Sequence, residues 1–174
     1  MPPIDFRSLT LQDALDLALS IEEEAKERYE QFAKITGGRY AGDAADMFRQ
    51  MAGYEAKHWA ELDQKRRELF GTAPRRITPD AIDDVEAPDR GAPRTFMSAR
   101  QAMEVALASE QKAREFFERA LEAVREPDVR GVLLELREEE VQHEAWVRTR
   151  LEKLPPGPDL EDDEADEPGS DPGS

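Results

Sequence analysis

Apolar residues recur at the three-and-four spacing of a helix in four separate stretches of the chain. Leu11, Leu15, Ala18, Glu22, Ala25, Tyr29 and Phe32 form the first stripe. Thr10 with Asp13 supplies an N-cap for it, and Gly37-Gly38 ends it. The second stripe holds Ala44, Phe48, Met51, Glu55, His58 and Leu62 and extends to Leu69 before Gly71. A third begins at Ser98, with Gln101 placed to complete a capping box, and carries Met103, Ala106, Glu110, Ala113, Phe117 and Leu121. The fourth starts after Pro127 with Val129, Leu133, Leu136, Glu140, His143, Val147, Leu151 and Leu154. Between the second and third lies Gly71 to Thr95, rich in Pro, Asp and Gly. So long a connection is unusual inside a compact domain. A crossover over about 71–97, running the length of a bundle, accounts for it.

The two halves repeat one another. Sliding Thr10–Ala33 onto Ser98–Leu121 matches Ala14 with Ala102, Ala18 with Ala106, Leu19 with Leu107, Glu22 with Glu110 and Ala25 with Ala113. Helices two and four match as well: Asp43 with Asp128, Glu55 with Glu140 and His58 with His143. One helical hairpin is therefore used twice. Neither hairpin could bury its stripe alone. The predicted fold is all-α, a four-helix bundle of two repeated hairpins joined by a long crossover.

Charge changes the picture at one end of the chain. The 174 residues carry 24 Lys+Arg against 40 Asp+Glu, a formal net charge of −16. Nucleic acid and anionic membrane partners both need a basic face, so both are excluded as expectations. From Pro155 to Ser174 the acids Asp159, Glu161, Asp162, Asp163, Glu164, Asp166, Glu167 and Asp171 stand without a base, among almost no apolar side chains. Such a segment cannot bury enough surface to order itself. The expected organisation is one folded domain over 1–154 and a disordered acidic tail over 155–174. With no Cys there is no thiolate nucleophile, disulfide, iron–sulfur cluster or zinc ribbon. No apolar run approaches the roughly 18 residues of a membrane span. The start, Met1-Pro2-Pro3-Ile4-Asp5-Phe6, has neither the basic nor the apolar region of a secretion signal. A cytoplasmic location is the expectation.

Chemistry concentrates on the stripes themselves. The chain has 2 His, His58 and His143, and each follows a Glu by three positions, in Glu55-Ala56-Lys57-His58 and Glu140-Val141-Gln142-His143. That spacing places both side chains on one helical face. The face is the apolar one. Glu22, Glu55, Glu110 and Glu140 each occupy a step of a stripe, between Leu, Ala, Met and aromatic neighbours. An ionised carboxylate buried without a partner costs several kcal/mol. Four at one level would unfold a domain whose whole stability is about 5–15 kcal/mol. The stripes offer no Lys or Arg at that level. Two divalent cations would balance the four carboxylates, with two neutral imidazoles completing the shells. The expected metal ligands are Glu22, Glu55, His58, Glu110, Glu140 and His143. An oxygen-dominated set with imidazole and no thiolate suits iron, with manganese next, over structural zinc or copper. Calcium is disfavoured by the imidazoles and magnesium by the number of protein ligands. The adjacent Glu23, Glu24, Glu138 and Glu139 lie off the stripes and read as solvated faces. Phe48, Phe116, Phe117, Trp59 and Trp146 read as core or dimer surface.

On these residues the chain, over about 10–154, resembles the rubrerythrin and erythrin branch of the ferritin-like di-iron carboxylate superfamily. Its bundles carry one Glu from each of two helices and Glu-x-x-His from each of the other two. Glu22 through Tyr29 looks like the family's Glu-x6-Tyr pattern, with Phe117 in the place corresponding to Tyr29. The resemblance implies a ferritin-like bundle holding two Fe ions, with Glu55 and Glu140 bridging them, Glu22 and Glu110 binding one each, and Tyr29 beside them. It implies an oxidoreductase that oxidises Fe(II) with O2 or H2O2, as a ferroxidase or a peroxidase. The alternative is a non-catalytic iron-binding, storage or shell-cargo protein whose bundle the metal stabilises. It further implies a homodimer, with hairpins kept or exchanged between copies, and an external electron donor or a protein nanocompartment as partner. Two departures matter. Peroxide-reducing relatives have a second Glu where this chain has Ala113, and they carry a rubredoxin domain with four Cys, whereas Cys is 0 here. Both tilt the expectation from peroxidase toward ferroxidase.

Overall fold

The structure, a computed structural model, describes residues 4–79, 82, 85 and 87–156. The acidic tail expected over 155–174 lies outside the described residues from 157 onward, as do Met1 to Pro3. After a 3-10 turn at Phe6–Ser8 come α1 (Leu11–Thr36), α2 (Ala44–Phe70), α3 (Ala99–Ala123) and α4 (Pro127–Lys153). Local chemistry sets their ends. Thr10 with Asp13 and Ser98 with Gln101 form reciprocal capping boxes, and the Asp43 carboxylate accepts from Asp46 N–H. Pro127 opens α4, where a missing N–H costs nothing. Gly37 and Gly71 stop α1 and α2 at φ 65° and 58°, in the left-handed region open to glycine.

α1 packs on α2 and α3 on α4, the two expected hairpins, while contacts of α2 with α3 and of α1 with α4 close the bundle. Phe6, just before α1, meets Phe116 near the end of α3, so α1 and α3 run antiparallel. The crossover is a strap along α1. Gln12 donates to the Pro74 carbonyl, the Asp16 carboxylate accepts from Arg76 N–H, Ser20 donates to the Ile77 carbonyl, and Arg28 donates to the Pro88 carbonyl. Beneath the strap every residue from Asp13 to Glu22 is buried, not one stripe alone. Asp16 is fully buried there and paired with Arg66, which also donates to the Ala73 carbonyl.

The apolar interior is divided into two clusters. One gathers Leu15, Leu17, Ile21, Phe117, Val129, Leu133 and Leu136 around the start of α1. The other gathers Tyr29, Phe32, Met47, Phe48, Met51, Met103 and Val147 toward its end. Side chains of this kind stabilise the fold by about 1.5–3 kcal/mol each when fully buried. Along every helix the break between clusters falls at the same place: after Ile21, after Ala52, after Ala106 and after Leu136. Glu22, Glu55, Glu110 and Glu140 occupy that gap.

Candidate metal centre

The four carboxylate side chains sit in the gap almost without solvent: Glu22 is 2% exposed, Glu55 0%, Glu110 0% and Glu140 1%. The two imidazoles come from the remaining turn of α2 and of α4 and are nearly buried. Two groups result. Glu22, Glu55 and His58 offer ligand atoms all within 4.8 Å of one another, and Glu110, Glu140 and His143 do the same. Each hairpin thus supplies one whole trio, as the internal repeat requires. The trios face each other through their imidazoles, which stack with centroids 4.6 Å apart and planes 5° from parallel.

Within the second trio His143 Nδ1 lies 3.0 Å from Glu110 Oε2 and 3.8 Å from Glu140 Oε2. Within the first, His58 Nδ1 lies 3.8 Å from Glu22 Oε2, beyond hydrogen-bond distance. Tyr29, fully buried, donates its hydroxyl to Glu110 Oε1 at 3.5 Å, which ties α1 of one hairpin to the carboxylate of the other. Phe117, the corresponding residue, packs in the first apolar cluster. Burial, and then the neighbouring His143, push His58 down to about 4, so its imidazole is neutral at physiological pH. A neutral imidazole is the form that binds a cation.

The donor set fits a pair of divalent ions. Each trio combines two carboxylates with one imidazole at converging distances, and the layer as a whole carries four carboxylates in surroundings where charge is costly. Among the described residues the two buried arginines are engaged elsewhere: Arg28 with Glu24 and the Pro88 carbonyl, Arg66 with Asp16 and the Ala73 carbonyl.

All six sequence-derived candidates and Tyr29 are therefore brought together. The neighbouring acids divide. Glu23 reaches Arg75 and Glu138 pairs with Arg137 at the surface, as a solvated face should. Glu24 and Glu139 depart from that reading. Glu24 is drawn in by the buried Arg28, 2.8 Å away. Glu139 is half-buried beside the His58 side chain, and burial raises its carboxyl above the ordinary range, with His143 acting the other way. Their sequence positions gave no sign of this, because it depends on where a second helix lies. Tyr54 packs edge-on against Trp146, with centroids 5.0 Å apart, and is itself partly exposed.

The family model described as Rubrerythrin matches residues 13–90. That span holds Glu22, Glu55 and His58; the second trio rests on the geometry and on the internal repeat. No curated protein matches the chain. Among solved structures, an uncharacterised conserved protein from Magnetospirillum magnetotacticum is similar at 26% identity and a TM-score of 0.65, covering 86% of this chain and 98% of that one. A hypothetical protein from Pyrococcus furiosus shares the fold at 21% identity and a TM-score of 0.54, over 83% of this chain and 89% of its own.

Proposed function

We propose that this chain, a rubrerythrin-type member of the ferritin-like superfamily, is a di-iron carboxylate oxidoreductase that holds Fe(II) at the six-residue centre and couples its oxidation to reduction of O2 or H2O2. The observation that carries the reading is the pair of Glu-Glu-His trios meeting at stacked imidazoles in the gap between two apolar clusters. Two iron ions bound there supply one electron each to the oxidant.

The chain's own residues supply the rest. Glu22 from α1, with Glu55 and His58, would hold one ion, and Glu110 from α3, with Glu140 and His143, the other, the four carboxylates offsetting the charge of the pair. His58, held neutral by burial, presents a lone pair without first losing a proton. Tyr29 orients Glu110 through its hydroxyl. The apolar clusters above and below exclude water, which strengthens each electrostatic contact in the layer. Two features favour iron oxidation over peroxidase turnover. Ala113 stands fully buried where peroxide-reducing relatives place a further carboxylate, and the chain has no Cys to carry electrons in.

Metal content of protein isolated without added metal, followed by anaerobic Fe(II) loading and addition of O2 or H2O2, tests the reading. The expected result is two metal ions per chain and one oxidant consumed per two iron ions. Tight loading with no oxidant consumed would instead establish the storage or cargo alternative. No metal uptake would end both.

A further inference from the structure

A cavity of about 190 Å³ opens between α2 and α4. Its wall is made by His58, Glu61, Leu62 and Lys65 from α2 and by Val132, Glu135, Leu136 and Glu139 from α4. His58 is the point at which this cavity touches the candidate centre. Its Nδ1 is buried and has no hydrogen-bond partner among the described residues. From there the acids run outward. Glu139 is half-buried, Glu61 and Glu135 are exposed, and Lys65 bridges to Glu135 across the outer lip. Lys57 reaches Glu61 from outside at 3.7 Å. Three carboxylates against one ammonium line the cavity, so its field attracts cations. Neutral O2 and H2O2 gain nothing from such a field. A second cavity, between α1 and α2, is lined by Glu23, Lys26, Glu27, Ala56 and Trp59 and by none of the six candidate ligands.

We propose that the cavity between α2 and α4 is the route by which a divalent cation reaches the centre, with Glu61 and Glu139 the carboxylates that pass it to His58. This rests on the di-metal reading above, but it concerns how fast the cation arrives, not whether it binds. Glu61 stands one helical turn beyond His58, and Glu139 immediately precedes Glu140, so the two acids extend both trios outward along α2 and α4. A cation drawn to the mouth meets Glu61, then Glu139, then the imidazole.

The test is the rate of cation uptake by the full chain, read without any turnover. Trp59 adjoins His58 in sequence, so quenching of tryptophan fluorescence by Co(II) or anaerobic Fe(II) in a stopped-flow instrument reports loading. Glu61→Gln with Glu139→Gln should slow loading at low salt about 10-fold, within the range of electrostatic steering. It should flatten the salt dependence of the rate and leave the metal stoichiometry at saturation unchanged. Glu27→Gln with Glu104→Gln removes the same charge elsewhere on the surface and should leave the rate near that of the unmodified chain. An unchanged rate in the first variant overturns the route, as does an equal loss in the second. Loss of stoichiometry in the first variant overturns it too, because the acids would then be ligands. Failure of the unmodified chain to take up any cation overturns the centre itself, and the route with it.

Discussion

Replacing Glu55 and Glu140 by Gln should change the sign of the stability difference according to whether metal is present. Both side chains are buried, at 0% and 1% exposure, in a layer with two further carboxylates. With chelator at pH 7, each buried carboxylate costs about 1–3 kcal/mol, whether the cost appears as lost solvation or as forced proton uptake. Neutral Gln of the same shape relieves it. The doubly substituted chain without metal should therefore be more stable by about 2–6 kcal/mol. For a domain of this size, one kcal/mol moves the melting temperature by about 2–4 °C. The apo variant should melt at least about 4 °C above the apo unmodified chain. Metal reverses the order. Fe(II) held anaerobically at about 1,000 times its dissociation constant stabilises by about 4.1 kcal/mol per site. Two sites raise the melting temperature of the unmodified chain by about 16–33 °C, and the variant should gain little of this. Differential scanning calorimetry with chelator and with anaerobic Fe(II) gives all four values. If the apo variant melts at or below the apo unmodified chain, the carboxylates are already neutralised by the protein, and the argument for cations fails.

Three further outcomes follow from substitutions outside the six candidate ligands. Tyr29→Phe keeps the ring against Phe48 and removes the hydroxyl that donates to Glu110 over a long 3.5 Å, so chemical denaturation should show a loss of about 1 kcal/mol. Asp16→Ala leaves Arg66 buried without its carboxylate and frees Arg76 N–H; it should cost about 3–5 kcal/mol by the same assay, and adding Arg66→Met should recover a large part. Asp43 is held below its ordinary value of 3.8, chiefly by the Arg39 backbone N–H, with those of Asp46 and Tyr40 adding. A lowered folded-state value means that its contribution is complete above pH 3.8 and is lost as pH falls through the folded value. Urea midpoints of the unmodified chain and of Asp43→Asn should therefore differ at pH 7 and converge toward pH 2.

Much of this architecture can be read from the chain because helix ends and stripes are local. Thr10, Ser98, Pro127 and the glycines after α1 and α2 act within one turn of where they stand. The repeat of Glu22, Glu55 and His58 as Glu110, Glu140 and His143 marks which polar residues share a level. Burial imposed by a distant segment is harder to see. Asp13, Asp16 and Ser20 lie off the α1 stripe and are buried where Arg76 and Ile77 of the crossover bond to them. That strap has only scattered apolar residues to announce it, such as Ile77 and Val85. Leu69, the end of the second stripe, is 54% exposed, and it is the next residue, Phe70, that packs against the first cluster. Glu24 and Glu139 were drawn inward by Arg28 and by the cavity facing α4, neither of which can be inferred from helical spacing.

The phenol of Tyr29 has no twin. The pseudo-dyad that relates the hairpins passes between the stacked imidazoles and carries Tyr29 onto Phe117, which has no hydroxyl to offer. Glu110 is steadied from across the fold by that phenol, and the equivalent place on the other side of the dyad is filled by the apolar ring of Phe117. Metal ions on the two sides of the dyad would therefore occupy unequal ligand fields, and Mössbauer spectra of the fully iron-loaded chain should resolve into two quadrupole doublets of equal area.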